Sequence, residues 1–287
     1  MKRSLDRGFV IMAALLALAL MRPAAANERW IVVAPYVAEI VVALGGADRI
    51  VGLGGGGEHL EALAKVPRLP GFRQTSAEPI LALQPTRILI TDDRVAPPVI
   101  EQLKAAGVRI EQLDTEQSVA GAERRIRQVA QLLGKPSEGE ALAARFRREM
   151  AELAQEVARA RHKPRALFIL AGGRRPIIVG GRGTSVAQVL ELAGAVNVAA
   201  EIEGFKPMSQ EAMVKAAPEV ILTNRDGLTP TGDGTPIALK SPGAEATPAA
   251  RHGRLIHIPD RYLGGIGLHT PEGVRLLLRE IAKAMAK

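Results

Sequence analysis

SAEPILALQPTRILIT at residues 76–91 and SQEAMVKAAPEVILTN at residues 209–224 share one plan: Ser, Glu two places on, Pro nine places on. Ser76 and Ser209 are suited to cap a helix whose first turn carries an acid, Glu78 or Glu211, against the positive end of the helix dipole. Pro85 and Pro218 then turn the chain into the apolar runs ILI and VIL, which read as buried strands. Two copies 133 positions apart predict two α/β lobes of similar plan with a cleft between them.

Working outward, the chain of 287 residues is long enough for two such lobes, each with its own core. Aromatic residues make up 3%, so Trp30, Tyr36 and Tyr262 stand out. The first 26 residues are set aside as a secretory leader, because Lys2, Arg3 and Arg7 precede the 13 apolar residues GFVIMAALLALAL and then the small-residue site MRPAAA. That run is shorter than the ~20 residues a membrane-spanning helix needs. With no cysteine there is neither a disulfide nor a lipid-attachment thiol, so the expected product is a free periplasmic protein, not lipid-anchored. The leader carries +3 of the formal +8, which leaves +5 on the mature chain and suits an anionic small ligand. No basic run is interleaved with aromatics, which argues against nucleic acid.

In order, residues 30–34 read as a strand, Pro35-Tyr36 as a turn, the following apolar residues as a helix stopped at Gly45-Gly46, and 50–53 as a second strand. The glycine run at 54–57 makes a loop at the carboxyl end of that strand, where α/β folds bind ligands. Beyond it the segment at 67–73 is irregular and delivers Phe72 and Arg73. Residues 137–162 read as one long helix, expected to bridge an N-terminal lobe at 27–136 and a C-terminal lobe at 163–287. Residues 226–250, rich in Gly, Pro and Thr, read as a surface loop around a short helix. A last strand at 254–260 and a closing helix, with Thr270 as cap and Pro271 at its first position, complete the second lobe.

Enzyme chemistry finds no constellation: there is no GxSxG, no cysteine and no HExxH, and GGRGTS at 180–185 has neither phosphate-loop nor dinucleotide spacing. A binding protein is expected, and not an enzyme.

The phrases FRQTSAEPILALQPT at 72–86, the run from GRGTSVAQVLELAGAVNVAAE to KAAPEVIL at 181–222, and GLHTPEGVRLLLREIA at 267–282 carry a family resemblance. The chain is similar over nearly its whole mature length to the periplasmic haem-binding proteins that feed ABC importers, the HmuT, ShuT and PhuT type. These fall within the siderophore and cobalamin class of periplasmic binding proteins. The resemblance implies a class III fold, two Rossmann-like α/β lobes joined by one long helix, with little hinge motion. It implies haem as the transported ligand in the cleft, iron uptake as the purpose, a monomer, and the permease and ATPase of an importer as partners. Membrane contact would come only through the permease. By motif, Glu78 and Glu211 would dock the permease, one from each lobe. Relatives carry a Tyr-Pro pair on the loop after the second strand, with the tyrosine on iron; here His59 stands in its place, and imidazole is a competent haem ligand. Tyr36 is the competing ligand, and Tyr262 and His269, before the last helix, could approach the distal face. Arg73 and Arg225 match propionate-binding positions beside Phe72, with Arg182 and Lys206 as weaker candidates; Arg suits bidentate carboxylate pairing. Rival readings from the same architecture are a ferric siderophore or cobalamin binder, a zinc or manganese binder using His59, His252, His257 and His269, and a haem sensor without a transporter.

Overall fold

The computed structural model describes residues 28–69, 72, 75–91, 95–160, 162–170 and 177–286. The leader and Arg73 lie outside them. The first sheet is built of β1 (Trp30–Val32), β2 (Ile50–Leu53), β3 (Arg87–Ile90) and β4 (Arg109–Gln112), all parallel, in the order β2-β1-β3-β4. Helices α1 (Pro35–Ala43), α2 (Ala77–Leu81) and α3 (Pro97–Ala105) supply the crossovers that parallel neighbours require. Pro35 opens α1 instead of closing a turn, since its fixed φ and missing N–H cost nothing at a first helical position, and Tyr36 is thereby carried into the first turn.

A helix absent from the sequence reading follows, α4 (Val119–Leu133), capped by the Ser118 hydroxyl and ended by Gly134 in the left-handed region. It folds back on the long helix α5 (Pro136–Ala158) of 23 residues, slightly shorter than the span of 137–162. Beyond α5 comes the second sheet: β5 (Arg165–Leu170), β6 (Ile178–Gly180), β7 (Val196–Asn197), β8 (Phe205–Pro207), β9 (Val220–Thr223) and β10 (Leu255–His257). Its path is β10-β9-β5-β6-β8, with β7 beside β5. This sheet is mixed, unlike the all-parallel first one: β6 runs antiparallel to β5 and to β8. The link from β5 to β6 is too short for a crossover helix, so the chain can only fold straight back. Helices α6 (Ser185–Leu192), α7 (Gln210–Ala216), α8 (Pro248–Arg251) and α9 (Thr270–Met285) complete it. Thr270 lies inside the first turn of α9 and its hydroxyl accepts the Gly267 N–H at 2.9 Å. Residues 226–250 are less peripheral than their composition suggests, because Ala238, Leu239, Ala244 and Ala249 are buried against Ile221 and Met213.

The two repeat copies fold alike, as α2–β3 and α7–β9. Among the described residues the only non-glycine positions with positive φ are Gln84 at +48° and Ala217 at +42°, each immediately before the proline of its copy. The proline ring bars the helical region to its predecessor, and the chain escapes through the left-handed one. The caps differ: Ser209 accepts the Ala212 N–H at 3.1 Å, whereas Ser76 makes no side-chain cap bond.

One core runs through the whole molecule, from Trp30 and Ile40 through Val129, Phe146 and Leu153 of α4 and α5 to Leu190 and Leu277 of the far side. Separate clusters cover the outer face of each sheet. A continuous apolar seam makes separating the sheets costly, since each buried side chain withdrawn forfeits about 1.5–3 kcal/mol.

Candidate functional site

Because β1 and β2 of one sheet and β9 and β10 of the other end at the same gap, their carboxyl-terminal loops face each other across a cleft. The first of two adjoining cavities, of about 220 Å³, is lined by Pro35, Tyr36, Gly55, Gly56 and Glu58 on one side and by Asp260, Arg261, Gly264 and His269 on the other. The second, of about 350 Å³, shares Asp260 and Gly264 and is walled by Phe168, Leu170, Val186, Phe205, Asn224 and Leu263. Phe205 and Leu170 stand there 48% and 42% exposed, with the Phe205 ring edge-on to Phe168 at 6.5 Å. The first cavity carries the ionisable side chains Glu58, Asp260, Arg261 and His269 and the second an uncovered apolar wall, the mix a flat amphipathic ligand needs.

Glu39 is the residue the sequence reading missed. It lies on α1 three places after Tyr36, so both side chains share the helix face turned to the cleft. Its carboxylate is buried and meets two imidazoles. His59 Nε2 donates to Oε1 at 2.8 Å, and His269 Nδ1 donates to Oε2 at 2.5 Å. A carboxylate only accepts, so these nitrogens must carry protons. A glutamate inside the apolar run PYVAEIVVA was the available signal, since a charge is kept in such surroundings only with partners.

His59 therefore points into the protein at Glu39, while its neighbour Glu58 lines the cavity. The loop that carries it turns through Gly56 and Gly57 at φ of +90° and +79°, a path that side-chain-bearing residues resist. His269 lines the cavity, and its Nε2 is buried without a hydrogen-bond partner.

Tyr36 is almost wholly buried. Its hydroxyl donates to Thr91 Oγ1 at 2.8 Å and accepts from Gln117 Nε2 at 3.4 Å, so as an iron ligand it would first have to leave these partners. The Arg125 guanidinium lies 5.1 Å from the centre of its ring. Arg125 is itself fully buried and donates to the carbonyls of Asp114 (3.2 Å), Glu116 (2.7 Å) and Ile266 (2.6 Å), the last belonging to the opposite loop. Burial pulls its pKa down, offset in part by Tyr36 and Asp114. Gln117 Oε1 accepts the Ile266 N–H at 3.0 Å, a second tie across the cleft floor.

Tyr262 is buried too, its hydroxyl bonded by Arg261 Nη2 at 2.6 Å and its ring 5.9 Å from that of His269. Burial raises its pKa, although the Arg261 hydrogen bond opposes the shift. Arg261 is a second residue the sequence reading left out: it borders the cavity, and its Nη2, bonded to Tyr262, also lies 3.7 Å from Glu272 Oε1. Phe72 packs in the core beneath the first sheet with Ile31, Val33 and Ile80, and lines neither cavity. Arg225, in a turn directly after β9, is exposed next to Asn224 of the apolar cavity. Lys206 is exposed on β8, and Arg182 is exposed with Glu203 3.7 Å away. Glu78 and Glu211 are both exposed in the first turns of α2 and α7. Since β8 runs parallel to β5, the first turn of α7, which follows β8, lies at the carboxyl end of the second sheet. His252 and His257, the remaining imidazoles of a zinc reading, lie on the loop before β10 and at its end, and no group of three metal-ligating side chains is formed among the described residues. No helix among them is long and apolar enough to cross a membrane.

A family model described as periplasmic binding protein matches residues 31–262. The periplasmic heme-binding protein RhuT from Roseiflexus sp. RS-1, in apo form, is 34% identical and superposes with a TM-score of 0.83, over 90% of this chain and 98% of that one. A periplasmic heme binding protein from Pseudomonas aeruginosa is 32% identical at a TM-score of 0.78, over 88% and 91%. The vitamin B12-binding protein of Vibrio parahaemolyticus is 26% identical over 71% of this chain and 74% of its own length. With most of its length matched by that model and this architecture shared, the chain belongs to the periplasmic binding protein family.

Proposed function

We propose that this protein captures haem in the cleft and hands it to an ABC importer in the inner membrane. The observation that carries the reading is the pairing of an exposed Phe205–Leu170 wall with a cavity bearing His269 and Arg261. A macrocycle gains by covering the wall, imidazole suits its iron, and guanidinium suits its propionates. The haem-binding proteins similar to this chain support the same cargo. In this proposal His59 is the iron ligand supplied by the glycine loop, and Arg225 and Arg261 hold the propionates, with Arg182 and Lys206 as further cations and Arg73, outside the described residues, as another candidate. Glu78 and Glu211 make a two-point contact with basic residues of the permease, which favours fast capture and release over tight binding. The leader at 1–26 is removed on export, leaving a free monomer in the periplasm.

Titrating purified mature protein with hemin should give a Soret band shifted from that of free hemin and saturating near one equivalent. Phe205→Ala should weaken binding about tenfold, the loss of part of one ring's burial, with the fold intact. His59→Ala should alter the band. If cyanocobalamin is bound and hemin is not, the second reading, favoured by the match to vitamin B12-binding proteins, replaces the first.

A further inference from the structure

We propose that His269 supplies a second iron ligand from the opposite wall of the cleft, through Nε2, and that Glu39 is the positioning residue which prepares it. The inference rests on the haem reading above. Two observations and one general rule lead to it. His269 Nδ1 donates to Glu39 Oε2, so its proton is held there and Nε2 keeps a free lone pair. That Nε2 is buried and has no hydrogen-bond partner, although the side chain is only 8% exposed and the residue borders the cavity. A buried acceptor left unsatisfied costs about 1–3 kcal/mol, a cost removed when a ligand supplies an acceptor for the lone pair. An imidazole backed by a carboxylate on its other nitrogen is also the arrangement by which proteins fix the ring and raise its basicity toward a metal.

The two imidazoles on Glu39 are not equivalent. His59 bonds Glu39 through Nε2, so to offer that atom to iron it must leave the carboxylate and shift its proton to Nδ1. The open position in its loop is Gly55, where nothing stands within 4 Å of a would-be Cβ. His269 needs neither step, because its loop is tied down by Arg125 and Gln117 at Ile266. A single carboxylate cannot bridge rings on opposite faces of a macrocycle, so haem entry separates the pair. Glu39 stays with His269 while His59 swings to the other face. Coordination is donation of the Nε2 lone pair to ferric iron; no electron is transferred and the Nδ1 proton remains in its bond to Glu39.

The test is hemin titration followed by electron paramagnetic resonance of the ferric complex. Wild type should be low-spin with two imidazoles. His269→Ala should turn high-spin and return toward low-spin on adding free imidazole. Should His269→Ala fail to fold, His269→Gln, which can still donate to Glu39, should give the same spin change. Glu39→Gln should bind hemin about 10–100-fold more weakly. A His269 variant whose spectrum superimposes on that of wild type overturns this proposal and leaves the haem reading standing. No complex with wild type overturns the haem reading itself.

Discussion

The two loops that reach Glu39 are held in different ways. The N-terminal one, carrying His59, is a glycine run packed at its base, where a Cβ on Gly54 would lie 2.0 Å from the Val33 carbonyl oxygen, and open at Gly55, which has nothing within 4 Å of where a Cβ would stand. The C-terminal one, carrying His269, is wedged: a Cβ on Gly265 would lie 2.2 Å from the Tyr36 ring, and the Ile266 backbone is held at both its N–H and its carbonyl from across the cleft. The difference shows how a binding site divides its tasks. One wall is preorganised, so that little ordering entropy is spent on capture. The other, among the described residues, has no tie to the opposite wall at its open tip, Gly55.

Arg125 should have the largest effect on this contrast. Arg125→Ala removes the donor to three carbonyls and leaves a cavity under Tyr36, and should cost about 3 kcal/mol or more in urea unfolding. Amide exchange around Ile266 should then become as fast as in the glycine loop. Retention of slow exchange there would mean that the wedge does not depend on the arginine. Gly265→Ala comes next. Pushing a methyl against the buried tyrosine should cost about 1–3 kcal/mol, read as a lowered thermal midpoint. The smallest effect belongs to Gly55→Ala, expected within about 0.5 kcal/mol of wild type. A loss comparable to that of Gly265→Ala would show the first loop to be as constrained as the second.

Much of the architecture was legible in short stretches. Helix, proline and strand recur in both repeat copies because each depends on neighbours a few residues apart, down to the positive φ before Pro85 and Pro218. Helix α4 carried its signal openly as well, with Ala122, Ile126, Val129 and Leu133 at three- and four-residue spacing before a glycine stop. The mixed order of the second sheet was harder to read, since β6 and β8 are three residues each and too short for a distinct period. In the site, His59, His269 and Tyr262 attracted notice as rare chemical types. Glu39 and Arg261 did not: the acid inside the apolar run PYVAEIVVA signalled a buried charge in need of partners without naming them, and one arginine in a loop has no local mark of function.

The sequence by itself determined the doubled helix–strand unit and an α/β class with two sheets, both of which depend on periodicity and punctuation within a few turns of chain. Only the tertiary structure decided that Glu39 would stand between an imidazole 20 positions away and another 230 positions away. That meeting depends on how α1 packs against the far loop through Tyr36 and Arg125. Burial makes it consequential: away from water a carboxylate must find donors, and here the donors come from both walls of the cleft.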